Sequence, residues 1–249
     1  IPMAEYVLFD GFKMSNAKEH NFGFIPQTCP TLDEPSHDFD YELFENCPDN
    51  INLDGFRQSE KYFKHIENII REDFTFKDDI YEPCKEFLKE YGDDIIFLHV
   101  RRSDSTGRTD YFPIADIGWF EEMLEHFPKD VPVLILTDKL DWVNNQKLFK
   151  QDRFLLSEHR EYSKNLVWNG RGKMEYTLSP WVDLCLMSLC NDFIIANSTY
   201  SWWGAWLSSN ENKKVIAPVQ WFGKSGYTKD HDTKDLIPET WMRISDGQE

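Results

Sequence analysis

The chain has no run of about 18 apolar residues, so nothing in it reads as a transmembrane helix. It opens Ile1-Pro2-Met3-Ala4-Glu5, without the basic and apolar stretches of a secretory signal. That is not a natural start, and the expectation is that the N-terminus is incomplete. Cysteine is scarce. The five present (Cys29, Cys47, Cys84, Cys185, Cys190) are odd in number and contain no Cys-x-x-Cys or zinc spacing. Spacing therefore gives no disulfide framework, and the reading is reduced thiols in a cytoplasmic setting. Cationic residues are also in short supply. Against 44 Asp and Glu stand 27 Lys and Arg, a net charge of −17. Such a chain repels nucleic acid and anionic membrane in general, so an anionic ligand needs a local basic pocket. Gly-x-x-x-x-Gly-Lys-Ser/Thr, Gly-x-Gly-x-x-Gly and Gly-x-Ser-x-Gly are all missing, which removes support for the usual ATPase, dinucleotide and serine-hydrolase readings.

Aromatics, in contrast, are plentiful at 15%, with nine tryptophans. The 41% hydrophobic content supports a sizeable core. Residues 1–55 read as irregular. An apolar stripe of Tyr62, Phe63, Ile66, Ile69 and Ile70 predicts a helix over 57–72, and a second helix follows over 79–91. From Asp94 the pattern becomes strand then helix: strands at 95–100, 132–137, 153–156, 193–196 and 214–217, helices near 116–127, 140–150, 180–191 and from Ser201. Short β-branched runs alternating with amphipathic helices predict a doubly wound parallel α/β sheet. The boundary falls at about residue 93, giving a smaller N-terminal domain, 1–93, and a sheet domain, 94–249.

Three groups of residues carry chemistry. The first is His99-Val100-Arg101-Arg102-Ser103-Asp104, where a buried strand meets a loop. In an open α/β sheet, ligands bind at that end of the strands. Two adjacent guanidiniums suit phosphate oxygens. Alternation puts His99 and Arg101 on one side and Arg102 on the other, assigning Arg101 to the ligand and Arg102 to a structural carboxylate such as Asp104. A salt-bridged loop without ligand is the competing reading. The second group is Asn197-Ser198-Thr199-Tyr200-Ser201-Trp202-Trp203, directly after a strand and opening a helix. Hydroxyls and free N–H groups there bind anions. A plain helix cap at Ser201 and helix packing by the paired tryptophans are the alternatives. The third is Asp183, an acid among apolar residues that must find donors. Thr137 and Asp138 end another strand on the same rim. Asp38/Asp40 and Asp230/Asp232 have the Asp-x-Asp form that can hold a divalent metal under a nucleotide diphosphate, although 44 acids produce such pairs by chance.

Taken together, His99-Val-Arg-Arg-x-Asp104 and Ile194-Ile-Ala-Asn-Ser-Thr-Tyr-Ser-Trp-Trp-Gly-Ala-Trp-Leu207 resemble the α-1,2-fucosyltransferase family, glycosyltransferase family 11. Three further segments extend the resemblance over residues 38–244. Leu53-Asp-Gly-Phe-Arg-Gln-Ser-Glu-Lys-Tyr-Phe63 resembles the family's Gly-Tyr-Phe-Gln-Ser-x-x-Tyr-Phe, Asp183-Leu-Cys-Leu-Met-Ser-Leu-Cys190 its Asp-x-x-Leu-Met-x-x-Cys helix, and Leu236–Ile244 its terminal segment. The resemblance implies a GT-B fold, GDP-β-L-fucose as donor, an oligosaccharide acceptor, and inversion without a metal or other cofactor. It implies Arg101 on the donor diphosphate with His99 beside it, Ser198 and Thr199 as phosphate ligands, Asp183 as a nucleoside contact, and Asn197 and Tyr200 nearby. It also implies a cytoplasmic bacterial or viral-type protein or, alternatively, a lumenal fragment of a membrane-anchored enzyme. The family's opening Gly-Gly-Leu-Gly-Asn-Gln loop has no counterpart before residue 38, which puts the acceptor side in doubt. A transferase of another GDP-sugar, a metal-dependent transferase and a protein that binds a nucleotide sugar without transfer stay open.

Overall fold

The computed structural model describes residues 8–16, 29–102, 111–156, 180–225 and 230–245. The chain runs α1 (Leu8–Gly11), β1 (Thr31–Asp33), α2 (Tyr41–Asn46), β2 (Asn52–Asp54), α3 (Glu67–Asp73), α4 (Asp78–Lys89), β3 (Ile96–Val100), α5 (Ile117–Leu124), β4 (Val133–Thr137), α6 (Leu140–Asn145), β5 (Phe154–Leu156), α7 (Pro180–Leu189), β6 (Asp192–Ile194), α8 (Thr199–Leu207), β7 (Val215–Pro218) and β8 (Met242–Ile244).

Six strands form one all-parallel sheet in the order β5-β4-β3-β6-β7-β8. Its strands alternate inward faces. Phe97, Leu134, Leu136, Phe193 and Val215 join one core with α4, α7 and α8. Ile96, Leu98, Ile135, Ile194 and Ile216 join a second with Trp119, Phe120 and Met123 of α5 and Val143 of α6. Helices therefore cover both faces, which is the doubly wound arrangement expected from the alternating pattern. All six strands of this sheet lie between Ile96 and Ile244. Side chains such as Phe97 and Phe193 are almost wholly removed from water, each worth roughly 1.5–3 kcal/mol of burial.

Local sequence fixes the helix starts. The Asp116 carboxylate accepts the Trp119 N–H at 2.9 Å and caps α5. Pro180 opens α7, where its missing N–H costs nothing. Helices α7 and α8 approach closely because Gly204 has no side chain: a Cβ there would lie 2.6 Å from the Met187 Cβ.

Three elements depart from the sequence reading. The helix expected over 57–72 is instead two 3-10 turns, Glu60–Tyr62 and Lys64–Ile66, leading into α3. Ser59 caps the first turn, and the stripe is spent on α8, where Phe63 stacks on Trp203 with ring centroids 5.3 Å apart. The supposedly irregular N-terminal stretch contains α2 and a parallel β1–β2 pair. The short edge strand β8 has no strand-like alternation of burial to announce it.

The segments 36–40 and 230–235 are joined at several points. Phe39 donates its N–H to Asp235 at 3.0 Å, Asp232 donates its N–H to Ser36 at 2.8 Å, and His37 meets His231 ring to ring. The Lys234 ammonium lies 3.1 Å from Asp38 and 2.9 Å from Asp232.

Candidate active site

The strand order reverses between β3 and β6, since β4 and β5 lie to one side of β3 and the later strands to the other. A crevice opens beyond the carboxyl ends of the two strands at such a switch point. What stands there follows from where β3 and β6 end: His99 and Arg101 from β3, Asn197 and Ser198 just after β6.

Arg101 bridges the switch point. Its Nη1 donates to the Asn197 carbonyl at 2.7 Å, and its guanidinium lies 5.6 Å from the Phe112 ring centre. Asn197 is fixed in turn by its side chain. Its amide nitrogen donates to the carbonyls of Pro113 at 3.2 Å and Trp221 at 3.1 Å, and the residue is 8% exposed. One side chain thus ties the loops after β3 and β7 to the end of β6. Asn197-Ser198-Thr199 has the Asn-x-Ser/Thr form of a glycosylation acceptor, but Asn197 is buried.

Ser198 is the N-cap of α8, in extended conformation and with no side-chain cap bond. Its carbonyl accepts the Trp202 N–H at 3.0 Å. The hydroxyls of half-buried Ser198 and exposed Thr199 stand at the positive end of the helix, beside the residue that holds Arg101. Tyr200 turns away: its hydroxyl donates to the Pro180 carbonyl, and its ring lines an apolar cavity of about 410 Å³ with Phe12, Trp181 and Trp203. Asp183 is buried in the first turn of α7.

His99 is 6% exposed, and its Nδ1 has no hydrogen-bond partner among the described residues. It lines a cavity of about 20 Å³ with Arg101, Pro113, Ala196 and Asn197, a space the size of one water. Burial, and then the Arg101 charge, pull its pKa down from 6.5 to about 4, against a smaller upward pull from Asp138. His99 is therefore neutral at physiological pH. An unfolded chain binds a proton here below pH 6.5 and the folded chain only below about 4. The stabilisation is complete above pH 6.5 and is lost as pH falls from 6.5 to about 4, up to about 3 kcal/mol. Urea melts of wild type and His99→Gln between pH 4 and 7 check this. The variant is expected to lose much of the wild-type slope, and equal slopes would refute it.

Arg102 lies on the opposite face. Its guanidinium sits 3.9 Å from the Trp142 ring centre and donates to the Ala115 carbonyl at 3.0 Å, while its backbone N–H donates to Asp138 at 2.8 Å. Thr137 accepts the Lys139 N–H at 3.0 Å and so shapes the turn after β4. Asp104 lies outside the described residues. Of the Asp-x-Asp pairs, Asp38 and Asp232 share the Lys234 ammonium and Asp40 caps α2 by accepting the Leu43 N–H. No group of three metal-ligating side chains occurs among the described residues.

Sequence reasoning missed Pro113 and Trp221, which act through their carbonyls, and Phe112, which stands in a loop without a signature. It also gave no role to Arg57 and Gln58, although the segment 55–63 stood out.

A family model described as Glycosyl transferase family 11 matches residues 35–244. The chain belongs to glycosyl transferase family 11. Relatives of this family 11 chain include the O-antigen biosynthesis glycosyltransferase WbnK of Escherichia coli, 24% identical over 82% of this chain and 65% of that protein. An α-1,2-colitosyltransferase of Escherichia coli is 27% identical over 78% of this chain and 63% of that protein. Galactoside α-(1,2)-fucosyltransferase 1 of Lagothrix lagotricha is 26% identical over 75% of this chain and 53% of the primate protein. The family 11 chain thus spans about half to two thirds of the length of the relatives it matches. The crystal structure of fucosyltransferase NodZ from Bradyrhizobium aligns at a TM-score of 0.43 with 18% identity, over 66% of this chain and 55% of NodZ. No helix among the described residues of the family 11 chain is long and apolar enough to cross a membrane.

Proposed function

We propose that this protein transfers L-fucose from GDP-β-L-fucose to a sugar hydroxyl, with inversion, forming an α-1,2 linkage to a β-galactoside. The observation that carries this reading is Arg101, held against the Asn197 carbonyl at the switch point beside the N-terminus of α8. A guanidinium and a helix start converging on one crevice favour a diphosphate. Family membership and the names of the relatives favour a 6-deoxy sugar as the group transferred. On this reading residues 94–249 hold the donor and 1–93 contribute to the acceptor side.

The reaction breaks the bond between fucose C1 and the β-phosphate oxygen, and both electrons leave with GDP. Negative charge grows on that oxygen as C1 becomes oxocarbenium-like. Arg101, the hydroxyls of Ser198 and Thr199 and the Thr199 N–H stabilise that charge, fixed in place before the reaction begins. His99, neutral, offers an N–H without adding a second cation beside Arg101. Asp183 takes the nucleoside. The acceptor oxygen bonds to C1 from the opposite face. Its proton is released to water, since the bond to GDP is largely broken before the hydroxyl must be deprotonated. No metal or other cofactor is assigned a part.

The test is to incubate the protein with GDP-fucose and a panel of β-galactosides and analyse the products by mass and linkage, with EDTA present throughout. A fucosylated galactoside with a 1,2 linkage is expected. Transfer only from another GDP-sugar, including GDP-colitose, would replace the donor. Activity abolished by EDTA and restored by Mn²⁺ would overturn the metal-free route. GDP-fucose binding without product would leave a binding protein.

A further inference from the structure

The joint between residues 36–40 and 230–235 holds a pair of side chains that the transfer proposed above does not use. His37 and His231 meet Nδ1 to Nδ1 at 2.5 Å, with ring centroids 4.6 Å apart. His37 is 3% exposed, and His231 is half-buried. Two further rings close on His37. Phe56 stacks on it at 5.9 Å between centroids, and Phe222 meets it edge-on at 4.8 Å. The neighbours of His37 thus come from the Phe56 loop, from the loop after β7 and from the segment 230–235. Phe222 follows Trp221, whose carbonyl accepts from Asn197.

Two imidazole nitrogens that face each other need one proton between them. A neutral ring carries one N–H and one bare nitrogen, so one histidine donates from Nδ1 and the other accepts on Nδ1. An imidazolium carries a hydrogen on both nitrogens and can still donate to a neutral neighbour. One added proton therefore keeps the bond and strengthens it with a charge. A second proton does the opposite. N–H then faces N–H, and two like charges touch. The contact tolerates one positive charge and fails at two.

The groups around the pair fix what acid acts on. The Lys234 hydrogen bond holds the Asp232 carboxyl below the usual carboxylate range. At Asp235 burial pushes upward, but the hydrogen bonds from Lys61 and the Phe39 N–H outweigh it and leave the carboxyl lowered. Hydrogen bonds to these same carboxylates raise Lys61 and Lys234. All four keep their charge down to about pH 5, within which interval histidine ordinarily titrates. Asp38 lies on Lys234, and Glu34 lies on Arg57. Burial lowers the His37 pKa from 6.5; Glu34 opposes this and His231 adds to it. An opened joint thus takes up the proton at His37 more readily than a closed one. The contribution of the contact is complete above pH 6.5 and is lost as pH falls below it.

We propose that His37 and His231 form an acid-released latch, which fastens the segment 230–235 to the segment 36–40 near neutral pH and opens when the pair takes a second proton. The latch is independent of which sugar, if any, the protein transfers.

Amide hydrogen exchange of the full chain at about pH 7.5 and about pH 5, corrected for the intrinsic pH dependence of exchange, reads the joint through two N–H groups that span it. Phe39 donates to Asp235, and Asp232 donates to Ser36. In wild type the protection of both is expected to fall about tenfold or more in acid. His37→Gln and His231→Gln replace one ring with an amide, which can donate to the remaining imidazole or accept from it and carries no charge. In each variant the protection should change by less than about threefold. His99 is intact in both, so any effect of acid through His99 persists in them. Equal protection of wild type at the two pH values overturns the latch, and so does a fall in both variants as large as in wild type. Circular dichroism at both pH values confirms that a variant is folded, and the wild-type comparison decides even where His37→Gln is not.

Discussion

Arg101→Ala is expected to lower the rate of fucose transfer by two to three orders of magnitude, about 3–4 kcal/mol of transition-state stabilisation. The size follows from position. The guanidinium lies at the switch point, and its bond to the Asn197 carbonyl fixes it before the donor arrives. Arg101→Lys should recover little, because a lysine offers a point charge in place of a fork that meets the carbonyl and the phosphate together. Arg102→Lys provides the contrast. Arg102 faces Trp142 and Ala115 on the other side of the sheet, so its loss should act on stability before it acts on the donor. Steady-state kinetics with GDP-fucose varied would decide. An Arg101→Ala enzyme within threefold of wild type would remove Arg101 from the mechanism.

Asn197→Asp is expected to be strongly damaging although it is isosteric. It replaces an amide that donates to two main-chain carbonyls with a carboxylate that can donate to neither. Each buried carbonyl left without a partner costs about 1–3 kcal/mol, and the carboxylate adds repulsion. A loss of about 3 kcal/mol or more is expected, which in a domain of this size lowers the melting temperature by about 6–12 °C. Activity should fall as well, because the loops carrying Phe112 and Trp221 come free. A melting temperature within about 2 °C of wild type would show that other contacts set these loops.

The centre of the sheet was legible because β3, β4 and β7 are buried on both faces and read as unbroken apolar runs. The rim was legible because polar residues stand directly after those runs at His99, Thr137 and Asn197. The role of Asn197 was not. Its partners are the carbonyls of Pro113 and Trp221, and a main-chain oxygen carries no side-chain signature. Nor was the fate of residues 57–66 legible. Their apolar spacing fits a helix, but the loop is bent by Glu34, more than twenty residues earlier, and its aromatics are claimed by α8. Arg57 and Gln58 were visible as letters in a pattern, and only the fold shows that polar atoms of both are buried without a hydrogen-bond partner among the described residues.

The links between segments 36–40 and 230–235 have a temporal side. Phe39 and Asp235 are 196 residues apart in sequence. A ribosome adds about 5–20 residues per second, so the earlier segment waits on the order of 10–40 s for its partner. Strands β3 to β7 can be assembled during that interval, and Phe39 can pack on Phe44 and Tyr62, but its N–H lacks the Asp235 carboxylate until the later segment is made. The joint at the beginning of the matched region therefore closes late, and its contacts are among the most non-local of the described residues.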